Sequence, residues 1–168
     1  MLAVITGDIV DSRKLANQQD WYLPLESLFN SWGPKNETWE IFRGDSFQVE
    51  ISDSLEALKK AMFIKATLKS IKSQSQQKRT APVDVRMAIG IGEREQNAES
   101  LGMRTGSAYI NSGEAFEQLR TKEQNLLVKT PWEDFDKEMN LMLKLALIVM
   151  DNWSNNSAEI MKIILERP

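Results

Sequence analysis

An α+β sandwich is the fold class predicted for this 168-residue chain, and three observations predict it. Short apolar runs of strand length alternate with longer amphipathic stretches. A Gly-Asp pair separates two runs that each alternate apolar and polar residues, the mark of a hairpin. The resulting order is β-α-β-β-α-β, followed by a loop and helix, a strand and two helices. That order describes a ferredoxin-like βαββαβ sandwich of palm type with an extra C-terminal strand and helices.

Each element has its own signal. Leu2–Ile9 is a nearly continuous apolar run ending in Gly7-Asp8 and reads as a buried strand. Asp11 and Ser12 are N-cap candidates for a helix over 18–32 that contains Pro24. Thr38–Arg43 and Ser46–Ile51 flank Gly44-Asp45, with Gly44 supplying the positive φ of a II′ turn. Leu55, Leu58, Met62 and Ala66 recur at helical spacing; Lys59, Lys60, Lys65, Lys69, Lys72, Lys78 and Arg79 cluster in the same stretch and read as a solvated face, with a local basic patch as the alternative. The polar tract over 73–80 reads as a mobile connection. Val83, Val85, Met87, Ile89 and Ile91 then share one side of a strand. Gly90 and Gly92 lie on the other, where they permit a backbone or a ligand to approach closely.

Further on, a helix is predicted over 113–119 and a short strand over 125–130. Thr130 and Pro131 read as the cap and first residue of the next helix. From Leu141 to Met150 that helix is apolar almost all round, which predicts burial on two sides, against the sheet and against another helix or subunit. Asn156-Ser157-Ala158-Glu159 reads as a capping box for a last helix. The division expected is a palm domain over 1–130 and C-terminal helices over 131–168.

Composition narrows the chemistry sharply. The chain has no His and no Cys, which excludes Cys/His zinc sites, His-dependent nucleophilic triads, haem or iron–sulfur ligation and disulfides. A metal here must be a hard cation held by oxygen. Acid–base work falls to carboxylates, Lys, Tyr or water. Lys+Arg 21 against Asp+Glu 24 gives a net charge of −3, not the basic balance of a free-standing nucleic-acid binder. The N-terminus lacks the basic and long apolar regions of a signal peptide, and the longest apolar block, Leu145–Met150, is far short of a membrane span. A cytoplasmic location without membrane contact is the expectation.

Two Gly-Asp pairs then stand out, Gly7-Asp8 at the end of the first strand and Gly44-Asp45 in the hairpin. In a βαββ sandwich the first strand is central and the hairpin begins beside it, so Asp8 and Asp45 can converge at one sheet end. Paired carboxylates with backbone carbonyls suit Mg²⁺ or Mn²⁺, with water and phosphate oxygens completing the shell. The plainer alternative is that Asp8 satisfies backbone groups at the strand end and Asp45 merely suits its turn.

T-G-D-I-V-D-S at Thr6–Ser12 resembles the strand-end Asp motif of class III nucleotidyl cyclases. F-R-G-D-S-F at Phe42–Phe47 is similar to their hairpin Gly-Asp and to the Gly-Gly-Asp-Glu-Phe hairpin of diguanylate cyclases. V-R-M-A-I-G-I-G-E at Val85–Glu93 and G-S-A-Y-I-N-S-G-E-A-F at Gly106–Phe116 resemble the following strand and helix start. The motif order over about 1–120, and more loosely Trp153–Ile164, resembles the bacterial SatD family.

The resemblance implies metal ligation by Asp8, Asp45 and the Ile9 carbonyl, and ribose positioning by Asn111. Gly44, Arg43 and Arg86 join as nucleotide-binding residues, the two arginines as substitutes for a missing cyclase arginine, whose place Ala115 takes. Ser46 stands where diguanylate cyclases carry a second hairpin Glu. A missing guanidinium where phosphoryl charge develops costs orders of magnitude in rate. The resemblance therefore implies a metal-dependent nucleotide-binding domain, regulatory or weakly catalytic, able to form a homodimer. The second reading is the ligand-sensing and dimerisation domain of a SatD-like regulator. Trp153–Glu159 would open its helix-turn-helix, and DNA would be met only through an extension absent from this chain.

Overall fold

A computed structural model describes residues 1–12, 17–42, 44–72, 82–95 and 100–167. Among them the order is β1 (Leu2–Ile9), α1 (Gln19–Trp32), β2 (Trp39–Phe42), β3 (Ser46–Ile51), α2 (Ala57–Lys69), β4 (Val85–Gly92), α3 (Ser107–Lys122), β5 (Leu126–Lys129), α4 (Glu133–Met150) and α5 (Asn155–Glu166). The five strands form one sheet in the order β2-β3-β1-β4-β5. β1 is antiparallel to both β3 and β4, while β4 and β5 run parallel. This is the predicted α+β palm sandwich, with β1 central and the hairpin strand β3 beside it.

Strand alternation sorts the residues onto two faces. Ala3, Ile5, Ile9, Phe47, Val49, Met87 and Ile89 meet Trp21, Leu25 and Phe29 of α1 and Ala61, Ile64 and Leu68 of α2 in the main core. On the other face α3 packs alone, with Ala115 and Leu119 against Ala88 and Leu127. The two glycines of β4 are what seat it. A Cβ on Gly90 would lie 2.2 Å from both the Ala108 carbonyl and the Ser112 nitrogen, and one on Gly92 would lie 2.6 Å from the Ala108 nitrogen. The predicted close approach is therefore that of a helix backbone.

Several local expectations need correction. The last pair of the hairpin ladder is Phe42 and Ser46, which does not leave the two-residue spacing of a II′ turn; Gly44 does take a positive φ of 85°. Gln18 precedes α1 without a side-chain cap, and Ser12 bonds across to the hairpin. Leu55 is 87% exposed, whereas Lys65 and Lys69 are buried, so the lysine-bearing face of α2 is not wholly solvated. The reason is a buried ion-pair network. Lys65 Nζ sits 2.6 Å from both Asp84 Oδ1 and Asp151 Oδ1, and Lys69 Nζ 3.0 Å from Asp84 Oδ2.

α3 begins at Ser107, and Gly113 lies in mid-helix with open space around it. Trp132, not Thr130, is the N-cap position of α4, and Thr130 instead donates its N–H and hydroxyl to Asp136. Ser154 caps α5 by accepting from the Ser157 N–H, two residues ahead of the expected box. α4 is buried on one side only, through Leu143, Leu147 and Met150. The tract over 73–80 lies outside the described residues.

Candidate functional site

β1 carries Asp8 to the sheet end, where its Cα partners are Ser46 on β3 and Arg86 on β4. Gly7 is required just before it, since a Cβ there would lie 2.4 Å from the Phe47 ring and 2.9 Å from the Arg86 carbonyl. The register puts Asp8 and Arg86 side by side on the α3 face. Arg86 Nε donates to Asp8 Oδ1 at 2.9 Å and Nη2 donates to Oδ2, a two-pronged pairing. Both side chains are mostly buried, at 18% and 24% exposed. The Asp8 hydrogen bonds raise the guanidinium pKa above its ordinary value; burial opposes this, and attraction from Asp8, Asp11 and Asp45 adds to the rise.

The hairpin arrives at the same end. The Ile9 N–H donates to the Asp45 carbonyl at 3.0 Å, and Ser12 Oγ donates to Asp45 Oδ2 at 2.7 Å. Gln18 Nε2 donates to the Gly44 carbonyl at 2.7 Å, tying the turn to the start of α1. The Val10 N–H donates to the Asp84 carbonyl at 2.9 Å, so the strand end also leans on the Lys65–Asp84 network. Asp8 and Asp45 are thirty-seven positions apart in the chain; Asp8 pairs directly with Arg86, while Asp45 and Asp11 act on that guanidinium only electrostatically.

Asn111 is not brought there. Its Nδ2 donates to the Ile91 carbonyl at 2.8 Å, and Ile91 pairs with Ala3, five positions back along β1 from Asp8. At about 3.3 Å per residue that separation is roughly 17 Å. Arg43 lies outside the described residues. Ala115 is buried against Ala88 and Leu127, so the position matched to the cyclase arginine is apolar core.

Sequence reasoning missed Arg120 and Glu117. With Asp8, Arg86, Phe116 and Leu119 they line a cavity of about 280 Å³ between α3 and the sheet end. Nothing in the sequence marks Arg120, whose relevance depends on where α3 is seated. A larger groove of about 570 Å³ runs between α1, α2 and α5 past Trp32, Lys60 and Lys162, and none of the Gly-Asp residues lines it.

The oxygens at the sheet end fit a hard divalent cation in kind: two carboxylates with a backbone carbonyl nearby. Among the described residues there is no cluster of three or more acidic side chains arranged to hold a metal, so water and ligand oxygens would fill the remaining positions. A cation would also have to displace Arg86 from Asp8. Asp8, Asp11 and Asp45 all act on the Arg86 guanidinium, so a phosphate approaching it would meet carboxylate charge that a divalent cation would offset.

No known family's sequence profile matches the chain, and no curated protein matches it in sequence. Solved structures do match in shape. The GGDEF domain of DgcB from Caulobacter crescentus, solved in complex with c-di-GMP, is 13% identical with a TM-score of 0.50, covering 77% of this chain and 77% of that one. The active GGEEF domain of a diguanylate cyclase from Vibrio cholerae is also 13% identical, with a TM-score of 0.49 over 79% of this chain and 83% of its own. At such identity the likeness to the DgcB domain is one of fold. This chain has a GGDEF-type, nucleotidyl-cyclase-like palm fold.

Proposed function

We propose that the chain is a nucleotide-binding domain of cyclase-like fold that takes its ligand together with Mg²⁺ or Mn²⁺ and works as a regulatory sensor, not an efficient catalyst. The observation that carries this reading is that Asp45 lies next to the end of β1 in a palm sheet: Asp8 registers with Ser46, and the Ile9 N–H donates to the Asp45 carbonyl. Asp8, Asp45 and the Ile9 carbonyl would hold the cation, which would neutralise phosphate charge when bound. Arg86, released from Asp8, and the Gly44 turn would bind phosphate oxygens, with Arg43 beside them in sequence. Asn111 is left out of this site because it is bonded at the other end of the sheet.

Two features argue for binding without rapid turnover. The matched arginine position, Ala115, is filled by core packing, and Ser46 takes the place of a hairpin carboxylate. Membership of the SatD family is part of the proposal, supported by motif order alone. The reading also includes pairing with a second copy of the chain.

Thermal melts and calorimetry with ATP or GTP, each with and without Mg²⁺ or Mn²⁺, test the site. Nucleotide and cation together should stabilise the protein, and Asp8→Asn and Asp45→Asn should each abolish that gain. Equal stabilisation of the native protein and both variants would remove the site.

A further inference from the structure

We infer that the outer face of α4 is a self-association surface on which a second copy packs antiparallel, with the two-fold axis passing beside Leu145. The face is open although its residues are core types: Leu141 is 61% exposed, Met142 62%, Leu145 61%, Ile148 66% and Val149 64%. The opposite side of the helix, Leu143, Leu147 and Met150, is already buried in this chain. α4 is also held firmly in place. Asn140 accepts from the Val128 N–H and donates to the Val128 carbonyl, both at 2.8 Å, which closes the edge of β5.

The spacing of the five residues selects the occupant. Leu141 and Val149 lie four positions either side of Leu145, and Met142 and Ile148 lie three. At about 100° per residue all five fall within about 60° of the Leu145 direction. The stripe therefore reads the same from either end, which is what an isologous contact needs: in an antiparallel pair Leu141 meets the copy's Val149, Met142 meets its Ile148, and Leu145 meets itself. Exposed Asp134 and Glu138 at one end and Asn152 at the other frame an apolar centre with a polar rim. Antiparallel packing also sets the acidic first turn, Glu133, Asp134 and Asp136, away from its copy.

Area sets the strength. A fully exposed Leu or Ile offers roughly 120 Å² of apolar side chain, so the five at about three-fifths exposure present roughly 370 Å² per copy. With the usual apolar share of about 60%, the whole contact is roughly 600 Å² a side, at the lower limit for a specific, stable interface. The dimer is accordingly reversible and its population depends on concentration. This inference rests on the self-association part of the proposed function and is independent of the nucleotide site.

Sedimentation velocity and cross-linking test it. The native chain should shift from monomer towards dimer between about 1 and 100 µM. Leu145→Glu sets two carboxylates against each other at the axis and should remain monomeric while melting like the native protein; Ile160→Glu, on the exposed part of α5, should still dimerise. Because the chain has no Cys, single-cysteine variants report geometry directly. Leu145→Cys should cross-link to itself under oxidation, Met142→Cys alone should not, and Met142→Cys with Ile148→Cys in one chain should. A native chain monomeric throughout, self-cross-linking by Met142→Cys alone, or monomers that instead bind anionic vesicles through this face would each overturn the inference. An Asp8→Asn protein that dimerises normally but loses nucleotide binding separates failure here from failure of the nucleotide site.

Discussion

Replacing Arg86 by Met isolates the electrostatics of the sheet end. The guanidinium holds Asp8 in a two-pronged pair, and Asp11 and Asp45 also act on it. Removing one partner of a fully buried pair costs about 3–5 kcal/mol, and breaking an exposed one costs under about 1 kcal/mol. With both side chains roughly four-fifths buried, the cost here is about 2–3 kcal/mol. For a chain of this length each kcal/mol moves Tm by about 2–4 °C, so Arg86→Met should melt about 4–12 °C lower in metal-free buffer. The same change frees Asp8 for a cation, so Mg²⁺ or Mn²⁺ should stabilise the variant more than the native chain. At a hundred times Kd the recovery is about 2.7 kcal/mol, enough to cancel most of the loss. Differential scanning calorimetry with EDTA and with cation measures both shifts. An unchanged Tm without metal, or an equal cation shift in the two proteins, would refute the reasoning.

Other sites give further predictions. Gly90→Ala should cost about 3 kcal/mol or more in urea unfolding, because its Cβ would lie 2.2 Å from two backbone atoms of α3. Gly113→Ala, with nothing within 4 Å, should stabilise α3 by up to about 1 kcal/mol. Lys65→Met should cost about 2–4 kcal/mol, less than a fully isolated charge because Lys69 still reaches Asp84; hydrogen exchange across 155–166 should rise, since α5 packs on α2 beside this network. Burial, and then its hydrogen bond to Glu50, raise the Tyr109 pKa above its ordinary 10.0. The folded chain therefore holds that proton more tightly than the unfolded one, and its contribution is intact below pH 10 and lost as pH rises beyond it. Tyr109→Phe should remove that alkaline loss from a stability–pH profile.

Where the sequence reading succeeded, one strong local pattern decided the element. Alternation around Gly44-Asp45 located β2 and β3 to within a residue, and the apolar run of Leu2–Ile9 is β1 as observed. Where it failed, partners distant in the chain decided. Lys65 looks solvated by type but is buried because Asp84 and Asp151 reach it, and no window along α2 contains either carboxylate. Leu55 fits the apolar spacing yet falls in the 3₁₀ turn over Ser54–Glu56, outside the packed face. At the candidate site, Asp8 and Asp45 were legible as a strand end and a turn of one topology. The Asp8–Arg86 pairing was not, because it depends on the β1–β4 register, and neither was the placement of Asn111 or Arg120, because both depend on the seat of α3.

That seat governs what the sheet end can do. Gly90 and Gly92 let the α3 backbone settle onto β4, and Ser112 Oγ fixes it by donating to Thr6 Oγ1 at 2.6 Å. With the helix so placed, Ala115 faces the sheet core and Asn111 faces Ile91, while Phe116, Glu117 and Arg120 extend towards Asp8. Ala115 is 3% exposed among Ala88, Leu119 and Leu127, so a larger side chain there would press on the seat of α3. Among the described residues, Arg86, paired with Asp8, and Arg120 are the cations that line the cavity between α3 and the sheet end. In the proposed reading Arg86 serves Asp8 before it can serve a ligand, which suits holding a ligand over driving its reaction.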